Sequence, residues 1–499
     1  MFTSTSNSGR RRAAAGLCLL ACTLIAGCVV GPNFSTPAPP ALAGYGAASA
    51  VTRLEGDGAA QVIEPGRPVD AAWWRLFGSP RLNDLVSAGL EGSPTLTAAR
   101  AALAESQDQG RAGAGVFFPQ LSGEADAERE RFAPVEQGVS GKPATFGLYT
   151  LTGRVSYALD LFGGERRSVE ALVAAADRQR YAAGAAYLAL TGNIVDAAIA
   201  RAGYADQAAA LDDIVRLDGA RRDGLNAQFR AGYGAWSNVL AAQQQLDADR
   251  QTLAVTVQRQ AASMTLLQSL LGRETGTPAP AAPALADLTI PPDAPVSLPA
   301  QVVRERPDIL QAQAALHQAS AQVGVATAAL FPSIDITGNF GAASLSLGKL
   351  GSPDGVFWGI GPSIKAPIFT GGALWYGRKA AQQDFLQVQS TYRQTVLSAL
   401  EQVADSLKAL DADAAVSAAS RDAADAAQGD VILARANREA GVIADDDAMG
   451  LEIQADRARL ILIAARSQRL QDVVALYLAS GGGWSVSQPL GGAVRAGAK

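Results

Sequence analysis

Beyond Cys28 this chain of 499 residues contains no cysteine, so a mature protein that begins there has no disulfides. All three cysteines, Cys18, Cys22 and Cys28, lie near the start. Stability in an oxidising compartment must then come from packing or from assembly. Histidine is almost as scarce. His317 is the only one, and neither a Gly-rich phosphate loop nor a nucleophile elbow accompanies it. It falls within a helical pattern, where a structural role is the expectation, so no catalysis, no metal and no cofactor are expected. Basic blocks are missing too: the net charge of −5 becomes −8 if Arg10, Arg11 and Arg12 leave with a signal, which argues against a nucleic-acid partner. Aromatic residues are only 6% of the chain while alanine is abundant, a mixture that suits long helices better than stacked sheets. No apolar run after the signal is expected to reach membrane-crossing length.

The start of the chain is informative in its own right. Arg10 to Arg12 precede an apolar run from Ala13 to Ala26, then Gly27 and Cys28, the layout of a secretory signal. Small residues before a cysteine, "IAGC", resemble the lipobox of bacterial lipoproteins, whose cysteine is acylated and becomes the first residue of the mature chain. Val29 stands where such lipoproteins often carry an inner-membrane retention aspartate, which favours the outer membrane. The alternative is an ordinary cleaved signal that happens to contain cysteines.

An internal repeat organises the remainder. Ser93 to Pro119 lies without a gap over Arg306 to Pro332, pairing Pro94 with Pro307 and Phe118 with Phe331. Farther on a second offset pairs Gly163 with Gly372, Asp196 with Asp405 and Gly272 with Gly481. Matching Pro and Gly punctuation over such a distance implies two structurally equivalent halves, a period far too long for a solenoid unit. The first turn of a helix tolerates Pro94 and Pro307, and Asp308 complements the dipole of the second such helix.

After each "FP" the pattern switches to period two. Leu121, Gly123, Ala125 and Ala127 alternate with Ser122, Glu124, Asp126 and Glu128, and Leu151, Val155, Tyr157, Leu159 and Leu161 with Thr152, Arg154, Ser156 and Asp160. In the second half Ile334, Ile336 and Phe340 alternate with Asp335, Thr337 and Asn339, and Trp358, Ile360, Ile364 and Ile368 with Ser363 and Lys365. Such alternation alone also fits a soluble half-buried sheet, but strands near ten residues, Gly-, Ser- and Pro-rich loops and Tyr157, Phe340 and Trp358 on the apolar face favour a membrane barrel. Four strands cannot close one, whereas three copies would supply twelve. Between the strand pairs Glu165 to Arg230 reads as one helix of about 95 Å at 1.5 Å per residue, returning through Leu240 to Leu271. Its counterpart reverses at "REAGVIADDDAMG". At these turns Gly232 and Gly441 are each expected to end the incoming helix in a left-handed conformation.

Several stretches then point to a family. The motifs "CVVGPNF", "WWRLFGSPRLNDL", "LDLFGGERRSV", "LPAQVVRERPDILQAQ", "ALFPSIDITGNFG" and "APIFTGGAL" resemble the TolC-like outer-membrane efflux proteins, in particular the NodT-type lipoprotein branch. The resemblance implies a mainly α fold with membrane β: a homotrimer whose four strands per protomer build a barrel in the outer membrane, continued by long periplasmic helical hairpins. It also implies a passive exit conduit for small molecules, docked through a periplasmic adaptor onto an inner-membrane pump of the resistance-nodulation-division type. The expected division is a signal peptide (1–27), a lipidated extended and equatorial segment (28–92), a first repeat (93–276), a Pro-rich linker (277–304), a second repeat (305–484) and a tail (485–499). Lipidation falls on Cys28. Gate candidates are Asp445, Asp446 and Asp447, since the family's gate triplet is matched by Met449, Gly450 and Leu451, which lack its carboxylate. Those three aspartates read equally as complements to the dipole of the returning helix. Gly232 and Gly441 mark the adaptor-docking turns, and Glu124, Asp126 and Glu128 are lumenal acidic candidates. Two other readings stay open: the exit duct of a type I protein-secretion system, and a lipid-anchored structural coiled-coil protein, which would leave the four strands unexplained.

Overall fold

A computed structural model describes residues 29–46, 53–56, 60–278 and 280–484. The signal peptide, the acylation candidate Cys28 and the C-terminal tail lie outside the described residues. Helices account for most of the fold: α1 (Pro80–Gly92), α2 (Pro94–Gly113), α3 (Gly164–Arg230), α4 (Trp236–Leu270), α5 (Pro299–Glu305), α6 (Pro307–Ala328), α7 (Ala373–Glu439) and α8 (Asp445–Ala479). Both α3 and α7 contain 67 residues and both α4 and α8 contain 35. The internal repeat is thus a repeat of elements with matched lengths. The chain folds into two compact units, which cut across the two repeats.

One unit comprises the residues up to Thr36 together with Ala104–Arg178 and Gln313–Thr391. It contains a four-stranded antiparallel sheet, β3 (Gln120–Phe132), β4 (Ala144–Leu159), β6 (Ser333–Ser344) and β7 (Val356–Lys365), paired in that order. Their register sorts side chains by face, because alternate residues of a strand point to opposite sides. Leu121 lies opposite Val155, Val155 opposite Gly338, and Gly338 opposite Ile360. The next row on this face joins Gly153, Phe340 and Trp358. Leu121 is 82% exposed and Trp358 74% exposed, so an apolar sheet face is left uncovered by the chain itself. β7 ends at Lys365, earlier than the alternation through Ile368 suggests: Pro367 has no N–H to donate to the ladder, and Ile368 stands 94% exposed in the turn beyond. Leu161 likewise falls past the end of β4.

The same unit shows what "VVGPNF" and the single histidine do. Val30 N–H donates to Phe162 O at 3.1 Å. Arg167, nearly fully buried, donates to Asn33 Oδ1 at 2.6 Å and to Glu170 Oε2 at 2.7 Å. The other Glu170 oxygen lies 2.9 Å from His317 Nε2, and Phe34 stacks on the imidazole at 4.4 Å between ring centroids. Burial raises the Glu170 carboxyl, but hydrogen bonds from Arg167 and His317 outweigh it and hold it below the usual range. His317 is a packing and pairing residue of this latch.

The second unit holds Pro37–Leu103, Gln179–Ala312 and the residues from Tyr392 on. A small sheet of β1 (Arg53–Leu54), β2 (Gln61–Pro65) and β5 (Asp293–Val296) forms there, with β2 and β5 parallel. Its short strands carry too little alternation to announce themselves in sequence. Beside it the short helix Trp73–Phe77 buries Trp73 and Phe77, with Trp73 edge-on to Tyr477 at 5.7 Å. Arg306 of "RERPDI" is buried: it donates to Ala479 O at 2.8 Å, capping the end of α8, and to both Asp308 oxygens. One window of α3 is, contrary to expectation, apolar and long enough to cross a membrane. Its residues are 61% buried within the protein, so here the apolarity serves helix packing.

Candidate functional site: the hairpin tips and the links behind them

Helices α3 and α4 form one hairpin, α7 and α8 the other, and both turns close in the same way. Tyr233 N–H donates to Gln228 O at 2.9 Å and Gly232 N–H to Phe229 O at 3.0 Å. Val442 N–H donates to Asn437 O at 2.8 Å and Gly441 N–H to Arg438 O at 3.0 Å. Gly232 has φ of 80° and Gly441 of 71°, the left-handed conformation that this helix-ending motif needs.

Chemically the two tips differ. At the first, Phe229 packs against Trp236 with ring centroids 5.1 Å apart, and Tyr233 is 89% exposed. At the second, Asp445, Asp446 and Asp447 occupy the first turn of α8, after Ala444, whose side chain caps nothing. Asp445 Oδ1 lies 3.2 Å from Arg438 Nε on the incoming helix, and one turn further back Arg435 Nε donates to Glu452 Oε1 at 2.9 Å. Met449, Gly450 and Leu451 continue α8 and bring no carboxylate to the tip.

Behind the tips the hairpins are tied together. Leu211, Ile214 and Leu217 of α3 form a buried cluster with Ile453 of α8. Next to it Arg457 of α8 donates to Asp249 of α4 at 2.9 Å, and its Nη2 lies 3.8 Å from Asp218 of α3. Burial, a hydrogen bond with Asp249 and that carboxylate's charge push Asp218 up to about 6. Among the described residues no hydrogen bond reaches the buried Asp218 Oδ2. Higher in the same unit Arg469 is fully buried and, among the described residues, none of its nitrogens has a hydrogen-bond partner. Asp413, which feels its charge, is nevertheless pushed up to about 7 by burial and by Asp472.

No spacing rule finds these links, because Asp249 and Arg457 are 208 residues apart. The acidic strand residues belong to the other unit. Glu124, Asp126 and Glu128 lie opposite Thr152, Thr150 and Leu148, on the sheet face away from Leu121 and Trp358.

A family model described as outer membrane efflux protein matches residues 85–273 and 298–482, one match for each repeat. The chain belongs to the outer membrane efflux protein family. Among curated proteins it is similar to the toluene efflux pump outer membrane protein TtgF of Pseudomonas putida: 29% identical over 93% of this chain and 96% of that one. Among solved structures it resembles the outer-membrane channel OprN, at 25% identity and a TM-score of 0.79, covering 92% of this chain and all of that one. The CmeC outer membrane channel of Campylobacter jejuni shares the fold, at 19% identity and a TM-score of 0.81 over 93% and 97% of the two chains. The fold is therefore TolC-like, and the protein is an efflux protein of the outer membrane. In this fold the strands belong to the outer-membrane part and the long helices to the periplasmic part.

Proposed function

We propose that three copies of this chain close into one channel that serves as the passive exit conduit of a tripartite efflux system. The observation that carries this reading is the four-stranded sheet with one apolar face exposed and, among the described residues, no partner on the outer edges of β3 and β7. Unpaired edges and uncovered apolar surface are satisfied together when β3 of one copy joins β7 of the next. Exposed Leu386, Leu397, Ile432 and Leu433 on α7 and Val255 and Val257 on α4 supply apolar surface for neighbouring helices of the ring. Acylation of Cys28 anchors the chain, and the latch around Arg167 and His317 orders the residues that follow.

In this reading the hairpin tips receive a periplasmic adaptor, and an inner-membrane pump, of the resistance-nodulation-division type, supplies the energy. Asp445, Asp446 and Asp447 from three copies make a ring of negative charge at the closed end, and opening separates the hairpins that Arg457 ties. TtgF is named for toluene; small molecules are the cargo class proposed here, with their selection left to the pump. The test is planar-bilayer recording on the purified protein with its mass measured in detergent. A trimer that conducts is expected, and a monomer without conductance would overturn the proposal. Replacing Asp445 to Asp447 with alanine is expected to raise conductance or shift ion selectivity. Unchanged conduction in a normal trimer would leave these residues only their role at the helix dipole.

A further inference from the structure

The outward face of the sheet carries a charge asymmetry that its lipid contact alone does not explain. Reading the register outward from the helix end, the rows are Leu159, Ile334 and Ile364, then Tyr157 and Ile336, then Leu121, Val155 and Ile360. Phe340 and Trp358 follow, then Leu151 and Val356, then Tyr149. Ten residue steps separate Leu159 from Tyr149 along β4. At about 3.4 Å per step and a strand tilt of about 40°, they rise roughly 25 Å, the height of the apolar band of an outer-membrane barrel. Tyr149 thus stands at the boundary where the aromatic girdle belongs.

Only Arg129 and Arg131 come next on this face, paired opposite Gly147 and Thr145. Among all outward positions of the four strands they are the only charged residues. Both are exposed, and among the described residues neither has a carboxylate in salt-bridge range. Glu128 and Glu130, their sequence neighbours, point to the opposite face by alternation. The residues across the ladder, Gly147 and Thr145, are small and uncharged and leave both guanidinium groups open. Two fixed cations just beyond the apolar band lie at the depth of lipid headgroups, on the side where the sheet ends in hairpin loops.

We propose that Arg129 and Arg131 bind phosphate groups of the phosphorylated glycolipid in the outer leaflet. This rests on the outward face being lipid-facing. Arginine suits the task because its planar fork pairs two donors with two phosphate oxygens. Three copies of the pair would encircle the channel and set its depth in the membrane.

The experiment uses the full-length protein purified from outer membranes in detergent, then placed in nanodiscs containing either lipid A or dephosphorylated lipid A. Native mass spectrometry counts bound lipid. Wild type is expected to retain lipid A over its dephosphorylated form, R129K/R131K to retain much of that preference, and R129A/R131A to bind lipid A about thirtyfold more weakly. Equal retention of both lipids by wild type overturns the proposal even if the alanine variant does not fold. A charge-independent loss in R129A/R131A, matched by crosslinking of Arg131 to Asp354 of a second copy, also overturns it by making the pair a protein contact. Bilayer conductance separates the two levels: a conducting trimer without lipid preference refutes this inference alone, and a protein that never conducts refutes the channel.

Discussion

Two carboxyl groups, Asp218 and Asp413, are held above the ordinary carboxylate range chiefly by burial, and each has another aspartate beside it. For Asp218 the folded protein binds the proton more tightly than the unfolded chain. Its contribution to stability is therefore full below the unfolded value near 3.8, and it is lost as the pH rises toward about 6. Acidification from pH 7 to pH 5 should therefore raise the stability of the folded protein through Asp218. Thermal unfolding across this range should lose that part of its pH dependence in Asp218→Asn. Arg167 is a second residue whose effect follows from its partners. Arg167→Met leaves Asn33 and one Glu170 oxygen unmatched and should cost about 1–3 kcal/mol. Limited proteolysis should then release the first mature residues while the sheet stays intact. Neither role could be read from residue type: His317 could be assigned a structural role in sequence, but its partners Phe34 and Glu170 lie far along the chain.

At the scale of elements, glycines of the same backbone conformation should not be equivalent. A side chain at Gly441 would meet nothing within 4 Å, so Gly441→Ala incurs only the left-handed backbone term, about 1 kcal/mol. At Gly483, with φ of 66°, a Cβ would run into Asp70 O and the backbone beside it, so Gly483→Ala should cost clearly more than Gly441→Ala. Heat-stability of the purified variants compares them directly. The sheet gives a paired prediction as well. Ile360→Arg places a charge on the lipid face and should cost about 2–4 kcal/mol, lowering the amount assembled in the membrane, while Thr337→Arg on the polar face, opposite Ser156, should assemble normally. These elements were legible because their signals are local: Pro at the start of α2 and α6, Gly after α3 and α7, and period-two alternation in four strands. The small sheet of β1, β2 and β5 was not, since two to five residues are too few to show a period.

For the whole molecule, a chain with this much exposed apolar surface should not persist as a monomer. Weakening the β3 edge with Leu121→Pro is expected to reduce the trimer fraction measured by mass in detergent and to lower conductance in proportion. The sequence by itself determined the order of the long helices and of the four strands of the larger sheet, the internal repeat and the one-sided character of those four strands, because periodicity and punctuation act over a few residues. Only the tertiary structure decided which strands neighbour one another, that Arg129 and Arg131 share the outward face with Trp358, and that Asp218, Asp249 and Arg457 meet. Such contacts join residues whose separation along the chain leaves no local trace, and they form only when packing and strand register bring distant helices and strands together.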